Sequence, residues 1–347
     1  MSEDVRIAVV GTGFMAKAMI AAIGDVEGLQ VAAICSRDEQ RGRELACALG
    51  TGVQSVSFEQ ALADPGINAV YIANETATHA ITSIKALKAG KAVLCEKPLA
   101  SNSAEARAIV EIARNTGSLF MEALCTPFLP AIQSALHDAQ VGSIGTARHF
   151  AADFGYPTTA ETHPSCYAPE GGGVLLDRGV YLVAMARLAL GPIGAVQAHV
   201  TKDTNGVDVE ASLLLTHCAG STSQLTASFT SLLANTMTIY GTSGSLSVQA
   251  PFLTAEKVVL RRAKPSARPT RLTGWRNLFK KSGGARRAAA FLRAENSRFM
   301  SYGRSPYYHE LVHFRDLYWA GAIESPVLPM ELSLHVTSVL DNARAQA

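Results

Sequence analysis

Gly11-Thr12-Gly13-Phe14-Met15-Ala16 follows a short apolar run, Val5–Val10, and opens a stretch of helical composition, Phe14–Ile23. A glycine turn at such a junction can cradle a pyrophosphate. Gly11 permits the tight turn, Gly13 lets the backbone come close, and Ala16 keeps helix and strand together. The first N–H groups of the helix and the positive end of its dipole then face the phosphates. Thr12, Phe14 and Met15 belong to the same binding turn. Cofactor choice falls at the end of the second strand, where an NAD enzyme usually carries Asp or Glu for the ribose hydroxyls. Here the residues are Cys35-Ser36-Arg37, with Arg41 one helical turn on. Ser36 can donate a hydrogen bond, and Arg37 and Arg41 can pair with a 2′-phosphate, so NADP is expected over NAD. The other reading is that both arginines are solvated helix-surface residues. Lys97, in Cys95-Glu96-Lys97-Pro98, stands where α/β sheets place ligands and could touch both nicotinamide and substrate.

These residues need a parallel sheet behind them. Leu29–Cys35, Ala69–Ala73, Ala92–Cys95 and Leu119–Met121 read as further buried strands. Asp38–Leu49, Thr78–Ala89 and Ser103–Asn115 read as helices between them, the last capped by Ser101 or Ser103 with Glu105 nearby. Alternating strand and helix predicts an open, mostly parallel α/β domain over residues 1–122. The pattern then changes. Helices are expected at Pro130–Ala139 and Val174–Leu190, a strand at Ala147–Phe154, and consecutive strands at Ala195–Thr201, Val209–Thr216, Ser223–Phe229, Thr236–Tyr240 and Ser245–Gln249. Turn signals such as Gly241–Gly244 make that second region, 123–347, an antiparallel α+β sheet domain. Two helices, near Pro306–Ala320 and Met330–Ala345, close the chain.

Composition fits this reading. The 347 residues are 48% hydrophobic and 17% charged, a globular balance with a formal net charge of +2. The six cysteines are scattered, with no zinc knuckle or redox CxxC, so no metal is expected and a reducing compartment is. The N-terminus lacks a basic n-region, and no apolar run is long enough to span a bilayer, so a cytoplasmic location is expected. Charge is nevertheless uneven. Between Ala255 and Arg304 lie fourteen Lys and Arg against two Glu, a local net of +12 that leaves −10 for the rest of the chain.

Glu96-Lys97-Pro98, taken with Gly171-Gly172-Gly173 through Asp177-Arg178-Gly179-Val180-Tyr181, resembles the Gfo/Idh/MocA oxidoreductase family. The glycine turn and the stretch from Asn74 through His79 extend the resemblance over nearly the whole chain. Met121-Glu122-Ala123 and the ending at Tyr181 look most like the dihydrodiol dehydrogenase and pyranose dehydrogenase branch. The resemblance implies a Rossmann domain followed by a predominantly antiparallel open sheet, the nicotinamide between them, and a cis bond before Pro98. It brings Asn74, His79 and Glu96 into the cofactor set. The family's more common ending at the second motif is DxGxH; this chain has Tyr181 in the His position.

The resemblance implies hydride transfer between nicotinamide and a sugar, cyclic polyol or diol, or the matching carbonyl. Asp177 and Tyr181, four apart, share a helical face. Tyr181 is the first choice for moving the hydroxyl proton, its phenol lowered from about 10 by the Lys97 ammonium. Lys97 would polarise the substrate oxygen, and Asp177 would hold Lys97 or a substrate hydroxyl. Arg178 could border the pocket, and His163, Tyr167 and Tyr156 could line it. A non-catalytic dinucleotide-sensing regulator of the same fold is the alternative. Relatives often associate through the exposed face of the second sheet, which makes a homo-oligomer the expected partner. The basic stretch at about 255–304 reads as a solvated insertion, as a surface helix around Trp275, Leu278 and Phe279 that meets an anionic membrane or partner, or as a cover over the cleft. No recognition motif accompanies its charge, so nucleic acid is not expected.

Overall fold

The computed structural model describes residues 4–50, 52–263 and 296–347. The first sheet has six parallel strands in the order β3-β2-β1-β4-β5-β6: β1 Val5–Val10, β2 Leu29–Cys35, β3 Gln54–Val56, β4 Ala69–Ile72, β5 Ala92–Glu96 and β6 Phe120–Ala123. Four of them are apolar along nearly every residue because both faces are covered. The covering helices are α1 Phe14–Ile23, α2 Glu39–Leu49, α3 Phe58–Ala63, α4 His79–Lys88 and α5 Ser103–Thr116. β3 and α3 have no counterpart in the sequence reading. The strand is too short to show a period, although Ser57 and Gln60 form a capping box in front of the helix. The cap of α5 is Asn102, which accepts from the amides of Ala104 and Glu105, and not Ser101 or Ser103. Asn102 wins because its side-chain carbonyl reaches both free donors at once.

The second sheet has eight strands, β14-β13-β12-β11-β7-β10-β9-β8. They are β7 Ala147–Gly155, β8 Ile193–Lys202, β9 Asp208–His217, β10 Thr222–Ser228, β11 Met237–Gly241, β12 Gly244–Val248, β13 Lys257–Arg262 and β14 Asn296–Phe299. All pairings are antiparallel except β7 with β10. The basic stretch is therefore not wholly an insertion. Its two ends pair as β13 and β14, Arg298 bonds Asp138, and Arg304 meets Asp25 at 3.3 Å. The expected helix around Trp275, Leu278 and Phe279, and with it the membrane or cleft contact, lies outside the described residues.

Helices α6 Pro130–Gln140 and α7 Val180–Leu190 pack on the inner face of the second sheet. The expected helix from Val174 to Leu190 is not uniform: Leu175–Gly179 is a π-helical turn, and regular α-helix begins only at Val180. α8 Tyr308–Trp319 and α9 Met330–Arg344 return to the first domain. The Phe120 amide donates to Ile323, Ser103 N–H donates to Asp341, and Met330 joins the core beneath β4 and β5. This return ties the second region back onto the first sheet. Among the described residues no helix is long and apolar enough to cross a membrane, and no cluster of His, Cys, Asp and Glu could hold a metal ion.

Candidate functional site

The carboxyl ends of β1, β4 and β5 bring the glycine turn, Asn74 and Lys97 to one edge. Gly11 has φ +122°, and a Cβ there would stand 2.4 Å from the Ala73 carbonyl, so the turn demands glycine. Gly13 has open space on its Cβ side, and no side chain caps α1 behind it. The first amides of α1 are thus left for a ligand, and an anion is what they suit. Phe14 is 82% exposed beside them. At the next strand end the Asn74 side-chain oxygen, Oδ1, is buried without a partner, while its Nδ2 donates to Thr82. An open phosphate cradle and an orphaned acceptor on one edge fit a dinucleotide.

Ser36, Arg37 and Arg41 gather at the outer end of that edge. All three are engaged. Ser36 Oγ accepts from the Asp38 amide at 3.2 Å, Arg37 pairs with Glu75 at 2.7 Å, and Arg41 meets Asp38 at 3.5 Å. Both arginines are largely solvated, so these pairs are weak and can be exchanged.

At the inner end the Lys97–Pro98 bond is cis. Lys97 Nζ donates to Asp177 Oδ1 at 2.6 Å and to the Asp177 carbonyl at 2.9 Å. The π-helical turn supplies this double contact by presenting a backbone oxygen and a side chain of one residue to one ammonium. Gly173 and Asp208 hold the turn. Gly173 has φ +104° with no room for a Cβ beside Asp208, and Asp208 accepts from the Leu175 amide at 2.7 Å. Burial alone would pull Lys97 down and Asp177 up, yet each charge outweighs that for the other, so Lys97 lies above and Asp177 below its ordinary value. Arg178 and His163 add to the pull on Asp177.

Tyr181 is buried, and Lys97 Nζ sits 5.1 Å above its ring centroid. The expected lowering of this phenol does not occur. Burial, with the negative potential of Cys125, Glu96 and Asp177, raises it well above 10, and the ammonium faces the ring. Tyr181 is a neutral phenol in this fold.

Arg178 does not border an open pocket. It is buried, donates to the carbonyls of Tyr156 and Ser228, and lies between the rings of Phe154 and Phe229 at 5.3 and 4.6 Å. Its Nε stands 3.7 Å from Asp177, so it braces that carboxylate from behind. His79 is buried too, with ring nitrogens against the carbonyls of Pro98 and Asn74 at 2.9 and 3.2 Å. It lies between the β4 and β5 loops, and its ring, kept neutral by burial, donates its one N–H to one of these carbonyls. Tyr167 donates its hydroxyl to the Thr158 carbonyl at 2.8 Å, and the exposed His163 touches Thr162.

Several neighbours escaped the sequence reading. Glu122 accepts from the Leu99 amide and from Ser333, so it fastens the loop after Pro98 to α9. Cys166 stands close enough to Lys97, Asp177 and Arg178 to interact with all three. Tyr71 donates to Glu96, and Glu310 lies fully buried nearby. Glu122 lies in the Met121-Glu122-Ala123 stretch that carries the resemblance, although no role is expected of it from sequence; no local motif marks the others, which reach the site through tertiary packing. A separate polar cavity of about 630 Å³, lined by Asn102, Glu170, Lys202 and Arg344 among others, contains none of Lys97, Asp177 and Tyr181.

Comparison with known proteins bears on this geometry. Residues 5–124 match an oxidoreductase family with an NAD-binding Rossmann fold, and residues 135–247 match a GFO/IDH/MocA C-terminal domain. The trans-1,2-dihydrobenzene-1,2-diol dehydrogenase of Oryctolagus cuniculus is 30% identical over 91% of this chain and 89% of its own. A 3-ketoreductase from Actinomadura kijaniata, solved with NADP and TDP-benzene, superposes with a TM-score of 0.80 at 25% identity over 99% of this chain and 98% of its own. An aldose-aldose oxidoreductase from Caulobacter crescentus shares the fold, with a TM-score of 0.79 at 19% identity over 99% of each chain.

Proposed function

The chain belongs to the GFO/IDH/MocA oxidoreductase family, and from that premise we propose that it is an NADP-dependent enzyme acting on CH–OH groups of a sugar, cyclic polyol or diol, or on the matching carbonyl. The observation that carries this reading is the Lys97–Asp177 pair, held at 2.6 Å over the Tyr181 ring at the end of β5. A protein that only binds a dinucleotide has no need of an ammonium so placed. The cofactor, when bound, supplies or takes the hydride.

The chain's own residues handle the oxygen and its proton. Lys97 keeps its charge and polarises the substrate oxygen, stabilising negative charge as it develops there. Asp177 fixes the ammonium, and Arg178 fixes Asp177. Tyr181, a neutral phenol, gives its proton to the nascent alkoxide when a carbonyl is reduced, and takes it back in the reverse direction. This assignment fits carbonyl reduction without any preceding deprotonation. NADP is supported by Ser36, Arg37 and Arg41 at the outer edge and by the NADP bound in the Actinomadura enzyme. Binding of the 2′-phosphate would draw Arg37 away from Glu75.

Turnover of NADP and NADPH against a panel of sugars, polyols, dihydrodiols and their keto forms tests the reading. Tight cofactor binding with no turnover on any member would sink it in favour of a regulator. Leu214 and Tyr240 stand 47% and 43% exposed on the outer face of the second sheet, which supports self-association there. A single monomeric species in sedimentation would remove that part.

A further inference from the structure

Behind the Lys97–Asp177 pair lies a second group of ionisable residues with the opposite character. Glu96, the last residue of β5, is 6% exposed and accepts a hydrogen bond from Tyr71 of β4. Glu310, in the first turn of α8, is 0% exposed, and neither of its carboxyl oxygens has a hydrogen-bond partner. The Leu124 amide that faces it already donates to the Glu122 carbonyl at 3.0 Å. Tyr307 stands between this group and the cofactor turn, with its hydroxyl 3.9 Å from Met15 Sδ.

Every element around Glu96 contributes a titratable group. Tyr71 comes from β4, Cys95 from its own strand and Lys97 from the bend just after it, and Glu122 and Cys125 from β6 and the loop after it. Tyr181 comes from α7, and Tyr307 and Glu310 from the start of α8. Lys97 is the one cation among them, and its closest partner is Asp177. Three carboxyls, Glu96, Glu122 and Glu310, in so apolar a setting cannot all ionise cheaply. Glu310 has no donor to support a charge, so it holds its proton. Glu96 has Tyr71 and Lys97 to support one, while burial pushes it up to about 7. It is balanced between its two forms near neutral pH.

The geometry points to a proton switch. We propose that Glu96 changes protonation state with the redox state of the bound cofactor, ionised beside the oxidised form and protonated beside the reduced form, while Tyr71 supports the ionised form and Glu310 stays protonated behind it. The proposal rests on the dinucleotide reading above. In a doubly wound sheet, the half that begins at β4 takes the second nucleotide. Its oxidised nicotinamide ring carries a positive charge that the reduced ring lacks. Were that charge to lie within about ten ångströms of Glu96, through an effective dielectric of about 20, it would move the carboxyl by about one pH unit. Lys97 and Asp177 stay ionised throughout the neutral range and do not respond to such a charge, whereas Glu96 can.

Isothermal titration calorimetry in buffers of differing ionisation heat measures the protons exchanged when each cofactor binds. Wild type should release about 0.4 proton per site more with NADP⁺ than with NADPH near pH 7, as follows from a shift of about one unit. Any titration of the 2′-phosphate is common to both cofactors and cancels in the difference. Glu96→Gln should abolish the difference. Tyr71→Phe should move its maximum upward by about one pH unit, because the lost donor supported the ionised form. Glu310→Gln should leave it in place, because the amide copies the protonated acid. Equal proton release with both cofactors between about pH 6 and 8, or a difference that survives in Glu96→Gln, overturns the proposal. Loss of the difference in Glu310→Gln reassigns the switch and overturns it as stated. Failure of either cofactor to bind wild type overturns the dinucleotide reading itself.

Discussion

The two ends of the cofactor edge are built on opposite principles. At the inner end, Arg178 is buried and Lys97 and Asp177 are half-buried, each satisfied by a specific partner. At the outer end, beside the half-buried Ser36, Arg37 and Arg41 stand in water and pair with neighbours that the solvent can replace. Buried charges interact strongly, and losing one partner strands the other. Solvated charges are screened and exchangeable. The inner end is therefore suited to chemistry and the outer end to discrimination between related cofactors.

The largest expected effect is on chemistry. Lys97→Met and Tyr181→Phe should each lower single-turnover hydride transfer by about 10²–10³-fold, with cofactor affinity changed only a few-fold. Stopped-flow traces near wild type for both variants would erase the functional contrast between the ends. The ion pair should also be insensitive to pH. Lys97 is raised, so its contribution is full below about 10 and lost above that; Asp177 is lowered, so its contribution is full above about 4 and lost below. The stability difference between wild type and Lys97→Met should be flat from about pH 5 to 9.

Next comes Arg178. Replacing it with Met leaves two buried carbonyls without donors and Asp177 without its brace. We expect a loss of about 3 kcal/mol or more in urea unfolding, and no rescue by Lys, which lacks the planar fork. An Arg178→Met protein of wild-type stability would show that the inner end is less tightly coupled than its contacts suggest.

The same contrast explains what could be read before the structure. The parallel sheet was legible to within a residue or two at most strand ends, because apolar runs and helix punctuation alternate along it. The glycine turn and Lys97 were legible because their chemistry is local. Arg178 was misjudged because nothing in Asp177-Arg178-Gly179 shows the Phe154 and Phe229 rings that enclose it. The Tyr181 phenol was misjudged for a related reason. Its spacing from Asp177 placed it near Lys97, but the direction of approach, over the ring, and the desolvation around it belong to tertiary packing. Glu310 lies 214 residues after Glu96 in the chain, and no local pattern joins them.

The outer end gives the smaller effects. Arg37→Ala should reduce the preference for NADP over NAD by about tenfold, seen as the ratio of the two dissociation constants, with hydride transfer unchanged once saturated. Glu75 sharpens the point. Its carboxylate holds Arg37 at 2.7 Å and would also repel a 2′-phosphate brought to that arginine. Glu75→Gln should therefore tighten NADP binding by about two- to threefold and leave NAD binding unchanged. The gain should shrink as salt rises from about 0.01 to 0.5 M, because screening already weakens an exposed pair. If Glu75→Gln instead weakened NADP binding, Glu75 would be orienting Arg37 toward the phosphate, and the outer end would be as preorganised as the inner one.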